Sequence, residues 1–276
     1  MSSLFFKCSF LTALSFTALT GFAQGDLLIT PKRLVFDGSK RAEEINLANI
    51  GKDTATYNIS FVQFKMDDKG VFTPISDDDT TQRFANKNLR FFPRTVTLAP
   101  NEAQSVKVQL IKANELQAGE YRSHLFFKNV LTTSALGEDK TGTKDSGISV
   151  SLKPVFGISI ATIIRVGATN VEGSLSDIKF SNGSVAADPL INFTINRSGN
   201  ISLYGDVQVN YVSADNNTTQ VGIMKGLAVY TPNAFRNVQL PLKKIDGVEY
   251  NKGRLIITYT DPAAKNEVIA RSEINL

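Results

Sequence analysis

The chain has 276 residues, 42% of them hydrophobic, and a formal charge of +4 at pH 7. Domains commonly run to about 100–150 residues, so this length suits two of them, and the composition is far from that of a disordered chain. The positive excess is small and scattered, which excludes the clustered basic face that nucleic-acid binding needs.

The first 23 residues have the pattern of an export signal. Lys7 is the only charge before Asp26, an apolar run extends from Phe10 to Phe22, and Gly21 and Ala23 are the small residues that precede cleavage. The run is short of the ~20 residues of a membrane span, so no span is expected in the mature chain. Cys8, the only cysteine, leaves with the leader. The mature protein therefore has no disulfide and no thiolate metal site, and must be held together by burial alone.

From there the chain alternates apolar and polar residues in short runs, the mark of β-strands. Leu27, Ile29, Pro31, Arg33 and Val35 share one face of the first run. Ile45 and Leu47 belong to the next, and Tyr57, Ile59, Phe61 and Gln63 to another. Val106, Val108 and Leu110 alternate with Lys107 and Gln109, then Tyr121, Leu125 and Phe127 with Arg122, His124 and Lys128. Turn residues fall between, at Asp37-Gly38, Asn49-Ile50-Gly51, Asp68-Lys69-Gly70, Pro100-Asn101 and Ala118-Gly119. Residues 131–147 have no pattern and read as a mobile loop.

The longest alternating run covers 148–164. Ile148, Val150, Leu152, Pro154, Phe156, Ile158 and Ile160 lie on one face, and Lys153 and Ala161 on the other. About 17 residues at roughly 3.3 Å each exceed an ordinary strand, so this one either bends between sheets or projects along an edge. Pro154, which cannot donate a backbone hydrogen bond, suits an edge. After Arg165-Val166-Gly167 the alternation restarts through Ile191, Phe193 and Ile195, Val207, Val209 and Tyr211, Val238, Leu240 and Leu242, Leu255, Ile257 and Tyr259, and Val268 and Ala270. The fold class is all-β, with one β domain over 24–166 and a second over 167–276.

Catalytic and metal chemistry find little support in the residue types present. His124 is the only histidine and lies in phase with Arg122 and Lys128, on what reads as the outward polar face. One histidine without a partner makes neither a metal site nor a Ser-His-Asp set. Asp77-Asp78-Asp79 lacks the spacing of a calcium loop. No Gly-rich phosphate loop or nucleophile elbow is present, so neither a cofactor nor an enzymatic activity is expected.

Several stretches match a known family in order and spacing. Thr30-Pro31-Lys32-Arg33-Leu34-Val35-Phe36-Asp37-Gly38 resembles the first strand of the PapD-like periplasmic pilus chaperones. Asn46-Leu47-Ala48-Asn49-Ile50-Gly51 and Ala55-Thr56-Tyr57 resemble their second and third strands. The run from Phe92-Pro93-Arg94 through Leu98-Ala99-Pro100 to Gln104-Ser105-Val106-Lys107 resembles their Pro-Arg, Leu-x-Pro and Gln-x-Val-Lys stretch. Gly119-Glu120-Tyr121-Arg122-Ser123-His124-Leu125 resembles a strand of one branch. Together these cover most of 27–165; the second half resembles the family only as a β domain of suitable length.

The resemblance implies two immunoglobulin-like β-sandwich domains arranged in an L with an interdomain cleft, a periplasmic location, and pilus or fimbrial subunits and an outer-membrane usher as partners. The mode of binding it implies is donor-strand complementation, in which one protein adds a strand to the open sheet of another. It implies that Ile148, Val150, Leu152, Phe156, Ile158 and Ile160 form a donor strand, though the same face reads equally as the inward face of an ordinary sandwich. It implies that Arg33 anchors the subunit's terminal carboxylate, against the plain reading of an Arg at the sandwich rim with its head in water. The family's second anchor is a Lys, and here its position is Ala161. Lys153 and Arg165 are the candidate substitutes. The alternative to a chaperone is an exported immunoglobulin-like structural or adhesive protein without that activity.

Overall fold

The computed structural model describes residues 26–130, 155–183 and 188–276. The expected signal peptide, the loop at 131–147, and Ile148, Val150, Leu152, Lys153 and Pro154 lie outside the described residues.

In chain order the strands begin β1 (Leu27–Thr30), β2 (Arg33–Phe36), β3 (Ala42–Asn49), β4 (Ala55–Met66) and β5 (Phe72–Ile75). They continue with β6 (Leu89–Phe92), β7 (Thr95–Leu98), β8 (Ala103–Leu110), β9 (Gly119–Val130) and β10 (Gly157–Val166). Beyond these come β11 (Val171–Ser181), β12 (Leu190–Gly199), β13 (Leu203–Val212), β14 (Thr218–Val229), β15 (Phe235–Pro241), β16 (Arg254–Asp261) and β17 (Glu267–Asn275).

The first ten make two facing sheets. One has the order β1-β3-β8-β6; the other runs β2-β10-β9-β4-β5, with β7 also paired to β4. The inward residues of both interdigitate: Ile45, Leu47, Val106 and Val108 from one sheet, Leu34, Phe36, Ile59, Leu125, Phe127 and Ile164 from the other. Each such fully buried aliphatic or aromatic side chain contributes about 1.5–3 kcal/mol. The remaining seven strands make sheets β11-β12-β15 and β14-β13-β16-β17 around a separate core that includes Phe193, Val209, Ile257 and Tyr259. The all-β class expected from the alternation is the one the chain adopts, as two β-sandwiches.

The first run is two strands, not one. β1 pairs with β3 in one sheet, whereas β2 pairs with β10 in the other. The chain changes sheets at Pro31-Lys32, where Pro31 has no N–H to continue a ladder. This corrects the expected shared face. Leu27 and Ile29 point into the core, but beyond the crossing it is Leu34 and Phe36 that do, and Arg33 and Val35 face the second sandwich.

The sandwiches meet at a third, small apolar cluster. Met66, Ala161 and Ile163 of the first pack against Ala228 and Tyr230 of the second, with Val35 and Tyr204 alongside. The outer face of the β2-β10-β9-β4 sheet is therefore covered at one end. The β4–β5 turn adds a latch: Asn237 donates its N–H to the Asp68 carbonyl at 2.6 Å, and Asn233 donates its side-chain amide to the Met66 carbonyl at 2.8 Å. Gly167, with φ of 73°, turns the chain from β10 into the second sandwich.

Candidate functional site

β10 is paired on one side along its whole length, antiparallel to β9 from Gly157–Lys128 to Val166–Gly119. On its other side β2 reaches only from Ala161 to Ile164, in parallel register. Because the chain reaches this sheet only after Pro31-Lys32, β2 begins at Arg33, opposite Ala161. Gly157–Ile160 therefore present unpaired backbone groups on that side, among the described residues. Unpaired edges of this kind accept an added strand. A Cβ at Gly157 would lie 2.3 Å from the tip of the Phe126 ring, so a larger residue there requires that ring to shift.

Three of the expected donor residues fall within the described structure. Phe156 is 53% exposed, Ile158 is partly buried against the first core, and Ile160 is buried within that core. Ile160 thus serves the protein's own sandwich, and the exposed apolar surface at this edge lies toward Phe156.

Arg33 stands where the open edge ends. Its guanidinium lies 4.2 Å from the centroid of the Tyr204 ring, a cation–π contact between the two sandwiches. Among the described residues it makes no hydrogen bond and no ion pair, and its Nε is buried without a partner. Burial pushes its pKa down from the usual arginine value; Tyr230 partly offsets this, and the Arg165 charge lowers it further. Guanidinium stays charged regardless, so this is a mostly buried cation with no ion-pair partner among the described residues.

Arg165 is taken up elsewhere. Its Nε donates to Glu120 Oε2 at 3.1 Å and its Nη2 to the Ser202 carbonyl at 3.2 Å. Glu120 also accepts from the Ser202 N–H at 3.0 Å, from the Ser202 hydroxyl, and from the Thr231 hydroxyl at 3.3 Å. This buried carboxylate ties β9 of the first sandwich to Ser202, just before β13, and to Thr231, just past β14, of the second. Arg165, one of the two expected substitute anchors, thus has a structural partner in Glu120.

His124 and Arg122 correct a second expectation. They are 5% and 4% exposed, not outward. The polar face of β9 is the one the second sandwich covers, which period-two alternation cannot reveal. Arg122 stacks on Tyr230 at 4.1 Å and donates to Gln82 Oε1 at 2.6 Å and to the Phe64 carbonyl at 3.3 Å. His124 packs among rings, with centroids 5.1 Å from Phe64, 5.5 Å from Phe72 and 6.5 Å from Tyr230, all near edge-to-face. Burial, with the Arg122 charge beside it, lowers the His124 pKa to about 3.

This has a measurable consequence. Between about pH 6.5 and 3 the unfolded chain binds a proton at His124 and the folded chain does not, so stability is fully present above the unfolded pKa and is lost as pH falls toward 3. The expected slope is about 1.4 kcal/mol per pH unit from this one group. Urea unfolding at several pH values should show it in the native protein and lose that component in His124→Phe.

Two cavities flank Arg33. One, of about 960 Å³, is lined by five carboxylates, Asp37, Glu43, Glu172, Asp261 and Glu267, and by Arg33 and Arg165. The other, of about 540 Å³, is lined by Lys32, Arg33 and Lys225, with Asp206 the only carboxylate. Among the described residues no cluster of His, Cys, Asp and Glu could hold a metal ion, and no helix is long and apolar enough to cross a membrane.

No protein-family model and no curated protein matches this chain. Among solved structures it is similar to the YadV chaperone, at 11% identity and a TM-score of 0.44, over 91% of this chain and 100% of that one. It is similar to the Pseudomonas aeruginosa CupB2 chaperone, at 10% identity and a TM-score of 0.43, over 90% and 98%. It is similar to a chain of the CsuC–CsuE chaperone and tip subunit complex of Acinetobacter baumannii, at 11% identity and a TM-score of 0.41, over 77% and 89%. At these identities no residue role passes from them to this chain.

Proposed function

We propose that this is a periplasmic chaperone, made as an exported precursor, that holds pilus or fimbrial subunits by lending the open margin of β10 to a subunit sandwich that lacks a strand. Its domains are 24–166 and 167–276. The observation that carries the reading is that β10 is unpaired on its β2 side over Gly157–Ile160 and that this gap ends at a mostly buried Arg33 with no ion-pair partner among the described residues.

The geometry gives the added strand a direction. A strand filling the gap lies in line with β2 and stops where β2 starts. If it runs parallel to β10, its last residue meets Arg33 and brings a terminal carboxylate to the unpaired cation. An antiparallel strand would bring an ammonium there, which the cation repels. Parallel addition is therefore favoured, with a two-pronged charge-assisted contact at its end. Closing an apolar groove of several hundred Å² contributes at about 25 cal/mol per Å², before the costs of ordering and association.

One observation favours the alternative, an exported structural or adhesive protein without chaperone activity: Ala161 offers no second cation opposite Arg33. Capture from the periplasm of the source cell separates the two. The chaperone reading expects a fibre subunit to copurify in equal amount, and Ile158→Asp to lower its recovery about tenfold or more. Native protein that carries no subunit would favour the alternative.

A further inference from the structure

The cavity of about 540 Å³ has a composition that a bare carboxylate does not require. Besides its three cations it is walled by Phe64, Phe72, His124, Tyr204 and Tyr230. Phe72 is 42% exposed although it packs against His124 and Tyr230, so the ring wall is open to solvent. Ala161, opposite Arg33, lines the cavity with only a methyl. We propose that this cavity receives the last residue of the client chain and selects an aromatic side chain there, carrying a free α-carboxylate.

The inference rests on the reading above, that Arg33 meets a chain end. Charge decides which of its two flanking cavities takes that end. The larger one sets five carboxylates against two arginines, one already paired with Glu120, and repels an anion. The smaller one sets Lys32, Arg33 and Lys225 against Asp206, which already accepts the Gly226 N–H at 2.8 Å. Its volume lies within the range of pockets for single small ligands, about 300–1,000 Å³. The wall rings meet one another edge-on, and an incoming ring can extend that arrangement, which an aliphatic side chain cannot. His124 is neutral above about pH 3 and so acts in this wall as a ring and not as a fourth cation.

The test is calorimetric titration of the purified protein with seven-residue peptides that differ only at the last position: Phe, Ala, or Phe with an amidated end. The Phe peptide should bind roughly 10- to 100-fold tighter than the Ala peptide, and amidation should weaken it about tenfold or more. Ala161→Lys, which puts a long side chain in place of that methyl, and Phe72→Ala, which removes the exposed wall, should each bring the Phe-to-Ala ratio close to one. Equal binding of Phe and Ala peptides, with the amide still weaker, overturns the aromatic selection and leaves the Arg33 reading standing. An amide that binds as well as the acid overturns both. A ratio that survives both substitutions, or no measurable binding of any peptide, also overturns the inference.

Discussion

Arg33→Ala should release the client while leaving the protein folded. The guanidinium is mostly buried, has no carboxylate or hydrogen-bond partner among the described residues, and stacks on the Tyr204 ring. Removing it forfeits a cation–π contact of about 0.5–2 kcal/mol but also removes a desolvated charge, and these oppose each other. The midpoint of thermal unfolding should therefore move little. The complex is another matter, because there the cation meets a carboxylate. A hydrogen bond to a charged group contributes about 1.5–3 kcal/mol, so client affinity should fall roughly 10- to 150-fold. Arg33→Lys should restore part of it, since an ammonium keeps the charge but loses the two-pronged fork. Titration of the client into each variant, beside a thermal melt, measures both quantities. Unchanged client affinity in Arg33→Ala would remove Arg33 from the site.

Glu120→Leu should have the largest effect on stability of any single change outside the two main cores. The Glu120 side chain is fully buried and that of Arg165 is 21% exposed. Glu120 holds Arg165, Ser202 and Thr231 together across the contact between the sandwiches. Removing one member of a buried pair leaves the other uncompensated, at about 3–5 kcal/mol. The double change Glu120→Leu with Arg165→Met removes both charges and should cost clearly less than the sum of the two single changes. Urea unfolding of the four proteins completes the cycle. Additive losses would mean that Glu120 and Arg165 do not act as a pair. Because the lock joins the two halves, the single variant should also separate their unfolding into two steps.

The strands were legible where alternation is regular and one face is buried, as in β3, β8, β12 and β16. They were not legible where the ladder slips. β11 carries a register shift between Ser176 and Lys179, with Asp177 in the left-handed region at φ of 51°, so its apolar residues Leu175, Ile178 and Phe180 fall out of period two. The site was read unevenly for a related reason. Arg33 drew attention as a cation among apolar neighbours, but the face assigned to it assumed one strand across Pro31-Lys32, where the chain in fact changes sheets. His124 and Arg122 looked solvated because alternation separates two faces of a strand without saying which a second sandwich will cover. Glu120 had no sequence signal, since its partners Ser202 and Thr231 are 82 and 111 positions away. The aromatic wall draws rings from β4, β5, β9, β13 and a residue just past β14, and only the packed fold assembles them.

Amide hydrogen exchange along β10, with and without bound client, tests the central claim most directly. Strand addition at the open margin should slow the alternate outward-pointing amides of Gly157–Ile160 about tenfold or more, while those of Ala161–Ile164, already paired with β2, change little. A client that binds tightly yet leaves exchange at Gly157–Ile160 unaltered, with protection appearing elsewhere, would contradict the account.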